Sequence, residues 1–344
     1  MRTTYLDVLQ NKPVQCAPIW IMRQAGRYLP EYRRIRAKFA DFMAMCKNAE
    51  ACAEVALQPI NRYDLDAAIV FSDILTVPEA MGMSLKFVAG KGPVFADPIR
   101  SEKALEKLDT KNALERLAYV TEAVSATKSA LQSRIPLIGF CGSPWTLAAY
   151  MIEGQGSKQF LELRKMLYAA PFQLHRLLKK ITQVSAGYLL SQIRAGADAV
   201  MIFDTWGGLL ASQNFPLFSL AYMEDLARFV KSHYPSVPVT LFTKGGGLWL
   251  EKIARSGCDA VGVDWCISLE QACQKVNGKI ALQGNLDPAE LYGANTEIRQ
   301  AVKNIFLAKD ARARYVFNLG HGIYPDIDPE KVSVMVDAVR EFGT

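Results

Sequence analysis

Short apolar runs recur along the chain, and most of them are followed by a segment with helical periodicity. Eight of these runs predict buried strands, because continuous apolar stretches are typical of strands that are covered on both faces of a parallel sheet. In chain order they cover residues 17–22, 67–71, 135–140, 199–203, 237–242, 260–263, 279–283 and 315–319. Two further runs, at residues 85–88 and 93–95, flank a Gly-Lys-Gly turn and predict a small hairpin.

Helix signals lie between the predicted strands. Asn48 predicts a helix cap, with the helix running toward residue 57 and ending near Pro59. Residues 112–132 carry one apolar face at helical spacing and predict a single long helix. Asp328, followed by Pro329, predicts the start of the last helix.

Eight strand–helix units without a break in composition predict an α/β fold. The closest architecture is a single-domain (β/α)8 barrel of the TIM type that spans residues 1–344. A doubly wound open sheet is the alternative. No G-x-G-x-x-G sequence opens a first crossover helix, which disfavours a dinucleotide-binding fold.

Composition restricts the class of protein further. The 344 residues are 50% hydrophobic and 22% charged, with a net charge of +6 that suits acidic small molecules as well as nucleic acids. The seven cysteines form no C-x-x-C pair, so a disulfide framework and a structural zinc site are disfavoured. The first ten residues lack the apolar core of a signal peptide, and no apolar run is long enough to cross a bilayer. We therefore expect a cytoplasmic protein that is not bound to membranes.

A cluster of arginines follows the first predicted strand. Arg23 and Arg27 flank Gly26, and further cations at positions 33, 34, 36 and 38 come directly after them. Fixed cations delivered by the end of a core strand predict a site for a ligand with several carboxylates or phosphates. A solvated basic surface, or a single-stranded nucleic-acid site that also uses Tyr28 and Tyr32, would show a similar pattern. No nucleic-acid-binding motif accompanies the cluster, and we expect no nucleic-acid partner.

The carboxyl ends of the strands carry the other candidate residues, because barrels of this kind place their sites there. Asp73 follows the second strand and could cap a turn or present a carboxylate to a ligand. His321, between two glycines, is the one histidine at a strand end, and it could act as an acid, a base or an anion donor. The remaining polar residues at predicted strand ends are Ser143, Thr205, Lys244, Asp264, Asn285 and Asp287.

Two of these strand ends allow more than one interpretation. Lys244 opens a Lys-Gly-Gly-Gly stretch that could cradle a phosphate, although the match is loose and a flexible loop is the favoured interpretation. Asp264 and Asp287 could form a carboxylate pair, and helix-capping or loop roles explain them equally well.

Several motifs resemble the uroporphyrinogen decarboxylase family over essentially the whole chain. Residues 22–31, MRQAGRYLPE, resemble its first signature, and residues 139–147, GFCGSPWTL, continuing to YMIEG at 150–154, resemble its second. The segments FSDIL at 71–75 and NLGHG at 318–322 also match in order.

This resemblance implies a fold, a reaction and a cellular setting. The family is a somewhat distorted single-domain (β/α)8 barrel that removes the carboxyl groups from the four acetate arms of uroporphyrinogen III, giving coproporphyrinogen III on the haem pathway. The resemblance implies a small-molecule tetrapyrrole substrate, no metal and no organic cofactor. It also implies a cytosolic homodimer.

The resemblance also implies roles for individual residues. Asp73 matches the aspartate that accepts hydrogen bonds from the pyrrole N–H groups and would stabilise the protonated pyrrole, while the signature arginines and the histidine contact substrate carboxylates. The implied catalytic residues are Asp73, Arg23, Arg27 and His321. The implied substrate-binding residues are Arg23, Gln24, Ala25, Gly26, Arg27, Arg36, Asp73, Tyr150, Thr205 and His321.

The alternative function is a cobamide-dependent or metal-dependent methyltransferase, because related barrels carry out such chemistry. Those enzymes typically need a zinc site built from histidine and cysteine. This chain has no H-x-C element, and His321 has no cysteine nearby in the sequence. We therefore expect no metal site and rank the decarboxylase above the methyltransferase.

Overall fold

Parallel strands form the centre of the fold in the computed structural model, which describes residues 2–88, 90–310 and 313–344. Within those residues, seven strands make one sheet in which each strand pairs in parallel with the next sheet strand along the chain. Two more strands form an antiparallel hairpin. The strands are β1 (Ala68–Ile69), β2 (Leu85–Val88), β3 (Gly92–Phe95), β4 (Leu137–Gly142), β5 (Ala199–Asp204), β6 (Val239–Thr243), β7 (Ala260–Gly262), β8 (Ala281–Leu286) and β9 (Tyr315–Leu319).

Helices lie between the strands in the chain and pack against the sheet and one another. They are α1 (Thr4–Leu9), α2 (Pro30–Arg36), α3 (Phe42–Cys46), α4 (Ala49–Arg62), α5 (Thr76–Ala80), α6 (Glu102–Glu106), α7 (Ala113–Arg116), α8 (Ala118–Leu131), α9 (Pro144–Glu153), α10 (Leu161–Ala169), α11 (Pro171–Arg194), α12 (Ala221–His233), α13 (Leu250–Ala254), α14 (Leu269–Val276), α15 (Asn295–Ala308) and α16 (Pro329–Phe342). Short 3₁₀ helices occupy Gly207–Leu209, Gly246–Trp249 and Pro288–Tyr292, and a π-helical turn occupies Pro216–Leu220.

The strands of the large sheet are buried on both faces. Every residue of β4, β5, β6 and β8 is buried, so none of these strands alternates between buried and exposed positions, as expected for strands covered on both faces. Seven of the eight predicted strands correspond to β1 and β4–β9, and the predicted hairpin corresponds to β2 and β3. The expected α/β fold of the TIM type is confirmed, in the form of a curled parallel sheet of seven strands within the described residues.

The first predicted strand, at residues 17–22, is the exception. It makes only an isolated parallel bridge between Ile19 and Phe317 of β9, so the expected eight-stranded ladder is wrong at this position. On its other side the Ile19 carbonyl accepts from the Asp66 amide at 2.8 Å, just before β1. The segment therefore lies between β9 and β1, where an eighth strand would close the barrel.

Side chains replace the missing ladder in this segment. The Ile19 amide donates to Oδ2 of Asp66 at 2.7 Å, and the Met22 amide donates to Oδ1 of Asn318 at 2.9 Å. The Ile21 amide donates to Oε1 of Gln24 at 3.1 Å. Because buried backbone N–H groups need a partner, these side-chain acceptors allow the segment to stay buried without regular strand pairing.

Two predicted helix boundaries are also wrong. Helix α4 is capped by Asn48 as expected, but it continues through Pro59 to Arg62. Proline removes one helical hydrogen bond, and the burial of the Pro59 ring offsets that loss. The single helix expected at 112–132 is divided into α7 and α8 at Leu117, whose backbone has ψ near 2° rather than a helical value.

Candidate active site

A cavity of about 270 Å³ opens at the carboxyl ends of the parallel strands. Its walls come from the ends of β1, β4 and β5, from the loop after β9 and from the segment at residues 22–28. Residues predicted from the sequence make up much of its lining: Arg23, Ala25, Gly26, Arg27, Asp73, Thr205 and His321. The fold therefore brings together positions that are about 300 residues apart in the chain.

The two signature arginines have no internal partner. Within the described residues, neither Arg23 nor Arg27 forms a salt bridge or a side-chain hydrogen bond, although both line the cavity. By contrast, Arg33 in the next helix donates to the Arg27 carbonyl at 2.7 Å and supports the loop from outside. Two unpaired guanidinium groups beside one cavity are able to bind carboxylates, to which each can offer two parallel N–H donors.

The loop around Arg23 has a specific backbone shape. Arg23 has φ of 63°, in the left-handed region that residues other than glycine seldom adopt. Its side chain passes directly over Gly322, where a β-carbon would lie only 2.7 Å from Cγ of Arg23 and closer still to Cδ. Glycine at position 322 is therefore what allows Arg23 to reach the cavity.

Gln24 is turned away from the cavity and supports the same loop. Its side chain is buried, accepts from the Ile21 amide at 3.1 Å and donates to the Ala67 carbonyl at 3.2 Å. The Gln24 carbonyl in turn accepts from the hydroxyl of Tyr28 at 2.8 Å. The structure thus places Gln24 under the arginine loop, while Ala25 and Gly26 face the cavity.

Asp73 lies at the cavity wall, four residues after β1 ends. Oδ1 accepts from the Leu75 amide at 2.8 Å, and Oδ2 has no partner among the described residues. Burial raises the pKa of Asp73, while the Leu75 N–H and the charge of Arg23 act in the opposite direction. A half-buried carboxylate with one free oxygen is able to accept hydrogen bonds from N–H groups of a ligand.

His321 follows β9 and lies close to Arg23. Burial, together with the positive charges of Arg23 and Lys244, lowers the pKa of His321 to about 3. Its ring packs against Phe242 with a centroid distance of 5.8 Å. The imidazole is therefore neutral near pH 7, so it can donate one N–H to an anion and carries no proton that it could readily give up as an acid.

Thr205 is held in place by a network that the sequence did not reveal. The preceding residue, Asp204, is fully buried, and its Oδ1 accepts from Ser143 Oγ at 2.6 Å and from Thr146 Oγ1 at 2.8 Å. Its Oδ2 accepts from Ser219 Oγ at 2.6 Å. Burial raises the pKa of Asp204, whereas these hydroxyl donors act to lower it. The donors come from separate parts of the chain, so no local motif indicates the network.

Tyr150 and Arg36 do not contribute to the lining of this cavity. The Tyr150 ring packs edge-on against Phe160 and Trp206, with centroid distances of 5.9 and 6.2 Å. Its pKa is raised by burial, and the charges of Asp73 and Arg23 also act on it, which places it near the same cleft. Arg36 donates from Nη1 to the Phe39 carbonyl at 2.9 Å.

The acidic residues at the later strand ends accept from backbone amides, and Asp287 caps the short helix that follows it. Asp264 accepts from the amides of Gly245 and Cys266, and Asp287 accepts from the Ala289 amide at 2.9 Å. Within residues 2–88, 90–310 and 313–344, no three His, Cys, Asp or Glu side chains come together in a group that could hold a metal ion. In the same ranges, none of the helices combines the length and the apolar character needed to cross a bilayer.

Comparison with known proteins gives one consistent family. Residues 1–342 match the sequence model described as uroporphyrinogen decarboxylase (URO-D). A protein of Francisella tularensis subsp. tularensis named uroporphyrinogen decarboxylase is 57% identical over 346 residues, covering 100% of both chains. One of Ruthia magnifica subsp. Calyptogena magnifica with the same name is 51% identical, covering 98% of both chains.

Solved structures resemble the fold at lower identity. A methyltransferase from Methanosarcina mazei superposes with a TM-score of 0.83 at 21% identity, covering 100% of this chain and 99% of that one. A putative vitamin-B12-independent methionine synthase from Listeria monocytogenes superposes with a TM-score of 0.57 at 11% identity, covering 95% and 96%. At such identities the likeness concerns the fold alone.

Proposed function

The chain belongs to the uroporphyrinogen decarboxylase family and is a carboxy-lyase of porphyrin biosynthesis, and we propose that the cavity lined by Arg23, Arg27 and Asp73 is where it acts. The full substrate assignment in this proposal is the removal of four acetate carboxyl groups from uroporphyrinogen III to give coproporphyrinogen III. The methyltransferase alternative is not favoured, because the full-length relatives at 51–57% identity are named decarboxylases.

The observation that carries the site assignment is the charge arrangement around one cavity. Uroporphyrinogen carries eight carboxylates on its rim and four pyrrole N–H groups directed toward its centre. Such a ligand needs cations around an anion, and the cavity offers two unpaired guanidinium groups beside a carboxylate with a free oxygen. In our proposal, Arg23 and Arg27 hold substrate carboxylates and Asp73 accepts from the pyrrole N–H groups.

The proposed reaction uses the pyrrole as its own electron sink. A proton adds to the ring carbon next to the one that carries the acetate arm, which makes the pyrrole cationic. The bond to the carboxylate then breaks, its electron pair moves into the ring, and carbon dioxide leaves. A proton adds to the exocyclic methylene carbon while the ring proton is returned, so that each arm consumes one proton. Because the ring accepts the electron pair, we propose that no organic cofactor or metal takes part.

Asp73 is proposed to stabilise the cationic pyrrole intermediate. Its charge is fixed before the reaction and lies in a partly water-excluded site, where an electrostatic interaction is stronger than in bulk water. His321 is proposed to donate a hydrogen bond to a substrate carboxylate from its neutral ring, because its lowered pKa disfavours a role as proton donor. We propose that the side chains of Thr205 and Tyr150 contact the substrate as walls of the cleft. The side chain of Arg36 and the backbone of Gln24, Ala25 and Gly26 are proposed to contact it as well.

The assembly and location belong to the same proposal. We propose one domain throughout residues 1–344, a homodimer and a cytoplasmic location, with the tetrapyrrole as the small-molecule partner. Sedimentation velocity tests the dimer, and the proposal requires about twice the mass of one chain. Limited proteolysis tests the single domain, since separable domains would yield a stable fragment.

Anaerobic incubation of the purified protein with uroporphyrinogen III, without added metal or cofactor, tests the proposed reaction. Mass spectrometry of the products should show stepwise loss of four carboxyl groups down to the tetracarboxylate. Protein that is folded by circular dichroism but leaves the substrate unchanged would contradict the assignment.

A further inference from the structure

We propose that Lys244 is a further substrate-binding residue, which holds a carboxylate arm of the tetrapyrrole across the cleft from Asp73. This inference rests on the proposed function. Lys244 directly follows β6, and Asp73 follows β1. In the sheet, β4 and β5 lie between β1 and β6. Cations at this strand end and in the arginine loop would face different arms of one ligand.

Lys244 is not among the residues that line the cavity, and its position at the end of β6 directs its side chain toward the rim beside it. Phe242 lies two residues earlier, and its ring packs 6.2 Å from Phe203 and 5.8 Å from His321, both of which line the cavity. The ladder between β5 and β6 continues to Lys244, whose amide donates to the Asp204 carbonyl at 3.0 Å. Because side chains two residues apart on a strand share a face, Lys244 projects on the same side as Phe242.

Trp265 fixes the ammonium group at the rim. Nζ of Lys244 lies 5.5 Å from the centroid of the Trp265 ring, within the range of a cation–π interaction. The same ring packs on Gly320, where a β-carbon would lie 2.9 Å from Cε3 of Trp265. Gly320 precedes His321, so the ammonium group, the indole and the imidazole line one continuous part of the rim.

Lys244 lacks the counter-ion that comparable lysines have. Lys128 and Lys231 are half-buried and pair with Asp198 at 2.7 Å and Asp259 at 2.8 Å. Within the described residues, half-buried Lys244 forms no salt bridge. A partly desolvated cation without an anion, beside a cavity for a polyanion, is explained by a carboxylate that the ligand supplies.

Asp264, the acid at the end of the neighbouring strand β7, already accepts from backbone amides. Asp264 uses one carboxylate oxygen for the Gly245 amide and the other for the Cys266 amide. The Lys244 carbonyl accepts from the Gly208 amide at 3.1 Å, so the backbone of this strand end is fixed while the ammonium group stays available. The charge of Lys244, like that of Arg23, lowers the pKa of His321, which agrees with its position near that ring.

The test is a comparison of Lys244→Met with Lys252→Met in anaerobic steady-state kinetics. The methionine keeps an unbranched stem over Trp265 and removes only the charge, and Lys252 is an exposed lysine of α13. We expect KM for uroporphyrinogen III to rise about tenfold in Lys244→Met with kcat changed less than about threefold, since one charge-assisted contact corresponds to about that factor. Lys252→Met should match the wild type, and Lys244→Arg should retain most of the affinity.

The outcomes separate this inference from the proposed function. Wild-type protein without turnover would contradict the proposed function and this inference with it. Wild-type turnover with an unchanged KM in folded Lys244→Met would overturn the inference alone, as would a fall in kcat without a change in KM. Should Lys244→Met fail to fold, Lys244→Gln takes its place.

An NMR titration of the ligand-free protein tests the position of the ammonium group. Loss of the Lys244 charge should raise the pKa of His321, and an unchanged pKa would contradict the proposed position.

Discussion

Single residues decide how the cations reach the cleft. Arg23 adopts a left-handed backbone conformation with φ of 63°, which costs about 1 kcal/mol or more for a residue other than glycine. Two contacts hold the loop in that shape. The Met22 amide donates to the Asn318 side chain, and the buried Gln24 side chain accepts from the Ile21 amide. The loop therefore presents both arginines with no salt bridge or side-chain hydrogen bond to either guanidinium group within the described residues.

Gly322→Ala tests whether the position of Arg23 depends on this close contact. A β-carbon at Gly322 would overlap the Arg23 side chain, so we expect a rise in KM of about tenfold, equivalent to about 1.4 kcal/mol of lost binding. Gly156→Ala is the control, because a β-carbon there has its nearest neighbour at 3.9 Å. Equal KM values for the two variants would contradict the account of Arg23.

His321 should make stability sensitive to acid. Its pKa is about 3 in the folded protein and about 6.5 when unfolded, so below pH 6.5 the unfolded state binds a proton that the folded state does not. Its stabilising contribution is therefore complete above about pH 6.5 and is lost as the pH falls toward 3, at about 1.4 kcal/mol per pH unit.

His321→Asn should lack this dependence. The free energy of unfolding, measured with urea, should fall more in the wild type than in the variant between pH 7 and pH 5. The difference between the two proteins should therefore be smaller at pH 5 than at pH 7. The reverse trend, or a difference that does not depend on pH, would mean that the buried imidazole is protonated in the folded state.

At the scale of elements, the closure of the barrel depends on Asp66. Its carboxylate accepts from the Ile19 amide and also pairs with Arg2 at 3.2 Å and Arg340 at 2.9 Å. It thereby joins residues 17–22, the amino terminus and α16. The buried carboxylate of Asp66, with these three partners, thus fixes the position of residues 17–22, whereas backbone hydrogen bonds fix the other strands of the sheet.

Asp66→Ala should therefore destabilise the fold by about 2–4 kcal/mol, because the change leaves the buried Ile19 amide without its acceptor and removes one of the two carboxylates that pair with Arg340. Asp64→Ala is the matched control, since Asp64 shares the same arginines but is exposed. We expect it to cost less than about 1 kcal/mol. Denaturant unfolding measures both, and equal losses would show that the ion pairs, rather than the contact with Ile19, matter.

The parallel sheet could be predicted from the sequence and its closure could not. Buried parallel strands need apolar residues on both faces, and that requirement is visible in the runs that became β4–β9. Residues 17–22 satisfy the same pattern, yet three of their amides bond to the side chains of Asp66, Asn318 and Gln24. Periodicity contains no information about which side chains far along the chain will provide such acceptors.

The whole molecule adds a long-range electrostatic effect to the site. The net charge is +6 and the proposed substrate is an octacarboxylate, so encounter should be accelerated by attraction. Raising the ionic strength from about 0.01 M to about 0.1 M shortens the Debye length from about 30 Å to about 10 Å. We expect kcat/KM to fall over that range while kcat changes little, as measured by initial rates in potassium chloride. A kcat/KM that does not depend on salt would contradict electrostatic steering.

The site could be predicted in part, for a reason that operates at the scale of the whole fold. Parallel strands present their carboxyl ends on one side, so Arg23, Asp73, Thr205 and His321 could be expected to meet once the strands were recognised, and all four line one cavity. The direction of each side chain depends on tertiary contacts. The inward turn of Gln24 and the hydroxyl network around Asp204 were therefore not foreseeable from sequence.

The most direct test of the central claim is a comparison of kcat for uroporphyrinogen III in the wild type, in Asp73→Asn and in Asp97→Asn. Asparagine keeps the size of the side chain and removes the charge, and exposed Asp97 provides the control. If Asp73 stabilises the cationic pyrrole, kcat of Asp73→Asn should fall by about 10²–10³-fold, while Asp97→Asn matches the wild type. A folded Asp73→Asn protein with kcat close to that of the wild type would contradict the account.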